Sequence, residues 1–90
     1  MTLPFPFAAL LTTRAALTQE LAKIGRAHEL DDMELASRAG RRDKVVFFLD
    51  PQAAPRFNEL LTEAGFRVEL EDAAFDDELL STVVTGRVYW

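Results

Sequence analysis

Cysteine is missing from the chain altogether, so disulfides, thiolate metal sites and a cysteine nucleophile are all excluded. Histidine occurs once, at His28, and a single imidazole cannot build a multi-histidine metal centre. Serine occurs only at Ser37 and Ser81, and neither sits in a Gly-x-Ser-x-Gly elbow or a Ser-x-x-Lys arrangement. The four glycines, Gly25, Gly40, Gly65 and Gly86, are dispersed, so there is no glycine-rich phosphate loop. No window approaches the ~18 consecutive apolar residues of a membrane span. The apolar start, Met1 to Phe7, lacks a basic region and is interrupted by Pro4 and Pro6, so a signal peptide is not expected.

What is present describes an ordinary globular chain. Ninety residues fit one domain, with 49% hydrophobic and 28% charged residues. Surface scaling at this length buries roughly 64% of the unfolded surface, a thin core that a dimer interface often supplements. The net charge of −5 is unevenly placed. Residues 1–45 carry seven Lys/Arg against six Asp/Glu, whereas residues 46–90 carry three against nine. An acidic half of this kind repels nucleic acid and attracts a basic protein surface.

Residues 44–71 read strand, helix, strand. Val45, Val46, Phe47, Phe48 and Leu49 form an apolar run with side chains for both faces, the pattern of a covered strand. Asp50 is a helix cap and Pro51 fits a first helical position. Pro55 fits less well, so the first turn is irregular or the helix starts near Pro55. Phe57, Leu60, Leu61 and Ala64 make one helical stripe, closed by Gly65 and Phe66 in the manner of a Schellman motif. Phe66, Val68 and Leu70 then alternate with Arg67, Glu69 and Glu71, a strand with one solvated face. If it runs parallel to the first strand, the crossover is expected to be right-handed.

Upstream, a helix is expected over residues 13–24, with a start as early as Pro6 as the alternative; a cap at Thr13 would instead leave residues 1–12 as an apolar arm, folded onto the core or reaching a second chain. Asp31 and Glu34 have capping-box spacing for a second helix, with Leu30 and Leu35 in the staple positions and Gly40 as its stop. Downstream, residues 71–78 are expected to be a loop or short acidic helix, with Asp76 capping residues 77–80. Residues 81–90 read as a final strand, bent rather than folded into a hairpin, in which Gly86 suggests a bulge or tight turn.

Candidate chemistry is sparse. Two carboxylate groups raise a metal hypothesis: Glu29, Asp31, Asp32 and Glu34 in one, and Glu69, Glu71, Asp72, Asp76, Asp77 and Glu78 in the other. Neither has the EF-hand pattern, and capping or strand alternation accounts for several members. Arg38, Arg41, Arg42 and Lys44 form one basic cluster, suited to a solvated turn or an acidic partner. Nucleic acid is not expected there, since no aromatics interleave the cluster and Asp43 and Glu34 dilute it. Arg87, Tyr89 and Trp90 gather binding-prone residue types at the end of the chain.

The phrase from Phe57 to Glu69, FxxLLxxxGFxVE, resembles the regulator of ribonuclease activity B family. It covers under half of the chain, carries no residue tied to a chemistry, and leaves the helix near Asp31 outside that family's pattern. It therefore assigns the chain to no family.

These readings converge on a two-layer α+β sandwich of order α-α-β-α-β-β, with about three strands and the first and third helices on one face. The expected function is a non-catalytic, cytoplasmic regulator or inhibitor that binds a protein with a basic surface, with no cofactor, no metal and no membrane. Trp90, Tyr89, Arg87 and Phe48 are the expected anchors, with the acidic residues 69–78 beside them. A homodimer is another way to cover the first strand's second face. Alternatives are a small-ligand sensor, a nucleic-acid-mimicking inhibitor and, least favoured, a metal-assisted hydrolase.

Overall fold

The computed structural model describes residue 7 and residues 13–90. The order is α1 (Arg14–Ala22), α2 (Glu29–Arg38), β1 (Asp43–Phe48), α3 (Ala53–Glu63), β2 (Arg67–Leu70), β3 (Ala74–Asp76) and β4 (Ser81–Tyr89). The fold is α+β, with three helices packed on a small antiparallel sheet. Apart from Phe7, the expected N-terminal arm lies outside the described residues.

Local rules explain where α3 starts and stops. Asp50 Oδ1 accepts from the Gln52 amide at 3.2 Å, so it makes a turn ahead of the helix, and Gln52 takes the cap position. Pro55 then falls in the first turn, where a missing N–H breaks no intrahelical bond. At the other end Phe66 N–H bonds to Leu61 C=O at 3.0 Å and Gly65 N–H to Thr62 C=O at 3.1 Å, a Schellman closure. Gly65 supports it with a φ of +101°, a value that strains other residues.

The second helix begins three residues earlier than its sequence suggests, with its cap at residue 28 rather than 31. His28 occupies the cap position without a side-chain bond, and Asp31 falls inside the first turn. Arg14 on α1 holds both Asp31 and Glu34, so an ion pair between helices replaces the capping box. Leu30 and Met33 are buried while Leu35 is exposed, which removes the staple.

β4 is the spine of the sheet. It pairs antiparallel with β1 on one side and with both β2 and β3 on the other. β1 and β2 therefore run in the same direction but are not neighbours, so the crossover between adjacent strands considered from sequence does not arise. β2 and β3 form one bulged path: Glu71 N–H bonds to Thr85 C=O, yet Ala74 already pairs with Val83, which sets Asp72 and Ala73 against Val84. Gly86 is neither bulge nor turn, since it pairs regularly with Val46 and Leu70 in an unbroken strand. A Cβ there would lie 2.8 Å from Leu70 Cδ2 and 3.2 Å from Val46 Cγ2, so the position demands a close approach of three strands.

The core lies between sheet and helices. Val46, Phe48, Val84 and Val88 meet Phe57, Leu60 and Leu61 of α3, Leu30 and Met33 of α2, and Leu21 of α1. α3 packs on β2, α2 on β1, and α1 on α3. The helix layer thus includes α2 as well as the expected first and third helices. The Phe48 and Phe57 rings meet edge-on with centroids 5.0 Å apart. Phe7 joins the same core, its ring against both Phe66 and Trp90.

Candidate functional site

The outer face of the sheet bears no described helix, and its two ends differ in chemistry. At one end Arg87 pairs with Asp43 at 2.8 Å, Tyr89 O–H donates to Glu69 Oε2 at 3.2 Å, and the Arg67 guanidinium lies 4.2 Å from the Tyr89 ring centroid. These charges are partnered on the sheet itself. Tyr89 has its pKa raised, first by burial and then by the hydrogen bond to Glu69 and that carboxylate's charge.

The other end is apolar. Phe47, Leu49 and Leu79 are all more than half exposed, Phe47 at 58% and Leu79 at 56%, and so is Phe75, which borders this end although its register with Thr82 sets its side chain on the opposite face of the β3–β4 ladder. Two hollows meet there. One of about 380 Å³ is lined by Phe47, Phe75, Leu79 and Val83, with Asp76 and Glu78 at its side. The other, about 430 Å³, is lined by Phe47, Leu49, Leu79, Ile24 and Ala53, with Arg26 and Asp50 at its side. Phe47 and Leu79 line both and form the ridge between them.

The expected anchor at Phe48 is corrected. Strand alternation turns Phe48 inward, 1% exposed, and gives its neighbour Phe47 the open face. Trp90 is half-buried, with its ring on Phe7 and its Nε1–H donating to Arg41 C=O at 3.1 Å. Tyr89 and Arg87 lie on the open face, but at the partnered end, away from the hollows.

The acidic residues divide as well. Asp76 Oδ1 accepts from the Glu78 and Leu79 amides, each at 2.9 Å, and so caps the turn of the β3–β4 hairpin rather than a helix. Glu71, Asp72, Asp77 and Glu78 are exposed. Residues 68–86 hold six carboxylates and no Lys or Arg. Glu69 belongs to the partnered end and Arg26 lines the second hollow, so the negative field is concentrated on the hairpin side of the apolar end, around Asp76, Asp77 and Glu78.

The basic cluster is not one surface. Arg38, Arg41 and Arg42 are exposed around the turn into β1, whereas Lys44 reaches back to Glu29 Oε2 at 3.3 Å. Glu29 is only 2% exposed and also meets Arg26 at 3.4 Å. His28, Glu29 and Asp32 bring potential ligand atoms within 4.8 Å of one another. Arg26 and Lys44 already neutralise Glu29, so this cluster fits poorly with a hard divalent cation that needs several free oxygens.

Arg26 has a second role. It donates to the Phe47 carbonyl, and its guanidinium lies 4.3 Å from the Phe48 ring centroid. The Trp90 amide bonds to Arg42 C=O, so by antiparallel alternation Lys44, Val46 and Phe48 bond to β4. Asp43, Val45 and Phe47 then turn their amide groups to the outer edge. Arg26 occupies that edge at Phe47.

The chain matches no protein-family model, and comparison with curated proteins and with solved structures finds no similar chain. The functional reading rests on geometry alone. Among the described residues no helix is long and apolar enough to cross a membrane.

Sequence reasoning missed Phe47, Leu49, Phe75 and Leu79 as a group. The signal for Phe47 was the two-sided apolarity of the first strand. For Leu79 and Leu80 it was an apolar pair set in an acidic run, with no internal partner called for by any periodicity.

Proposed function

We propose that this chain is a small non-catalytic regulator or inhibitor that binds another protein through the apolar end of its open sheet face. The observation that supports it is the gathering of Phe47, Leu49, Phe75 and Leu79 around two adjoining surface hollows. Keeping four large apolar side chains in water forgoes burial at roughly 25 cal/mol per Å². Contiguous apolar surface of this kind marks interaction sites. The surrounding carboxylates select for a partner with a basic surface and slow encounters with other acidic molecules. A reducing cytoplasmic setting fits a chain without cysteine.

The apolar centre favours a protein target over nucleic-acid mimicry, which would need charge where these side chains stand. A photo-crosslinking phenylalanine analogue at position 47 tests the reading inside the native cell. The expected result is one discrete protein adduct, reproduced from position 79 and missing from position 63 on α3. Adducts of equal yield from all three positions, or a nucleic-acid adduct, would reject it.

A further inference from the structure

We propose that the partner segment seated on the two hollows is a basic amphipathic helix, a reading that rests on the protein-binding function above. Two ways of filling an exposed sheet end are helix docking and strand addition. Strand addition needs a free edge of main-chain groups. On β1 the edge beside the hollows is interrupted, because Arg26 already occupies the outward carbonyl of Phe47 and lies across the path of an added strand, which leaves only the amide groups of Val45 and the Phe47 N–H beside it. On β3 the ladder is three residues long, and with Ala74 and Asp76 bonded to β4 only Phe75 turns its amide groups outward. One residue cannot anchor a strand. An interrupted edge favours an occupant that satisfies its own backbone hydrogen bonds, and a helix does so.

The shape agrees. Two hollows on either side of a Phe47–Leu79 ridge suit a pair of large apolar side chains one helical turn apart, with the ridge between them. Charge then selects among helices. Asp76, Asp77 and Glu78 lie in the hairpin beside the first hollow, and the one cation near the surface, Arg26 at the second hollow, is engaged with the Phe47 carbonyl and Glu29. Lys and Arg flanking the apolar stripe meet those carboxylates, while acidic helices are repelled. The same field disfavours a second copy on this surface, since apolar ends brought together would oppose the hairpin carboxylates Asp76, Asp77 and Glu78 with their own copies. An anionic lipid surface is disfavoured for the same reason.

The test uses a synthetic peptide of about 18 residues with Leu at i, i+3, i+4 and i+7 spacing and Lys elsewhere. Controls are the same Leu pattern with Glu for Lys, and the Lys peptide with its leucines shuffled off one face. Backbone amide shifts and calorimetry are recorded on the intact protein. Saturable 1:1 binding is expected, with the largest shifts at Phe47, Leu49, Phe75 and Leu79 and a gain of helix signal in the peptide. Affinity should fall at least tenfold for Phe47→Asp and for the pair Asp77→Lys, Glu78→Lys, and fall again as salt rises. Equal binding of the shuffled or acidic peptide, shifts centred on the helix layer, or binding without helix formation would overturn the proposal. So would sedimentation showing a dimer whose Phe47 amide moves on dilution, which assigns the surface to a second copy. A protein adduct from position 47 without binding of the Lys peptide rejects the helix while leaving the protein-binding reading in place.

Discussion

Tyr89 is the one tyrosine of the chain, so its ionisation can be followed without interference. Burial, the bond to Glu69 and the charge of Glu69 all raise its pKa, and Arg87 and Arg67 only partly oppose them. A folded value above the unfolded one means that the neutral phenol is favoured in the native state. The stabilisation is therefore complete below the ordinary tyrosine range and is lost as pH rises through the folded value. Glu69→Gln removes the negative charge but leaves the burial, so ultraviolet titration should show the midpoint moving down toward the ordinary range. An unchanged midpoint would mean that Glu69 does not face the hydroxyl in solution. Phe47 and Phe48 carry the other residue-scale lesson. They are identical in chemistry and adjacent in sequence, and only the direction of alternation makes one core and the other surface.

At the scale of elements, the regularity of β4 depends on Gly86. The nearest obstacle to a Cβ is Leu70 Cδ2, the movable end of a half-buried side chain, and the next is Val46 Cγ2. Gly86→Ala should accordingly be mild, within about 1 kcal/mol, because entropy lost by the unfolded chain offsets the crowding. Gly86→Val must displace both neighbours and should cost about 1–3 kcal/mol in denaturant unfolding. A neutral valine would show that the three strands do not close around this position. The same strand shows what a sequence can and cannot reveal. Helix stripes, the Schellman closure at Gly65 and the single final strand were legible because they rest on contacts within a few residues. β3 was not, since Ala74 to Asp76 is too short for periodicity and exists only because β4 offers a second edge. The early start of α2 was hidden for a related reason: Arg14, some seventeen residues upstream of Asp31, claims the carboxylate that local rules assign to a cap. The candidate site was half legible, its acidic residues by composition and its apolar ones not, because their convergence depends on strand order.

Across the whole molecule, the packed core and the proposed recognition surface fall on opposite faces of the sheet. The helix side holds the packed aromatics, and the outer side holds Phe47, Leu79 and their carboxylates. Mutations on the outer side should leave stability within about 0.5 kcal/mol, as surface changes usually do. The helix side is closed by residues from the two ends of the chain: Phe7 packs edge-on against Phe66 at 5.1 Å and against Trp90 at 5.4 Å between centroids. Phe7 is 2% exposed, so Phe7→Ala should leave a cavity costing about 3–5 kcal/mol. In a domain of this size each kcal/mol lowers Tm by about 4–8 °C, so the transition should fall by more than ten degrees. Trp90 is the one tryptophan, and losing its neighbour should wet the indole and shift its emission to the red. Phe47→Ala serves as the matched control, removing the same ring from the outer face with neither effect. A Phe7→Ala protein with unchanged Tm and emission would detach Trp90 from the core and return it to the open question of binding. A large drop confined to Phe7 would fix Trp90 as a closing residue and leave recognition to the opposite face.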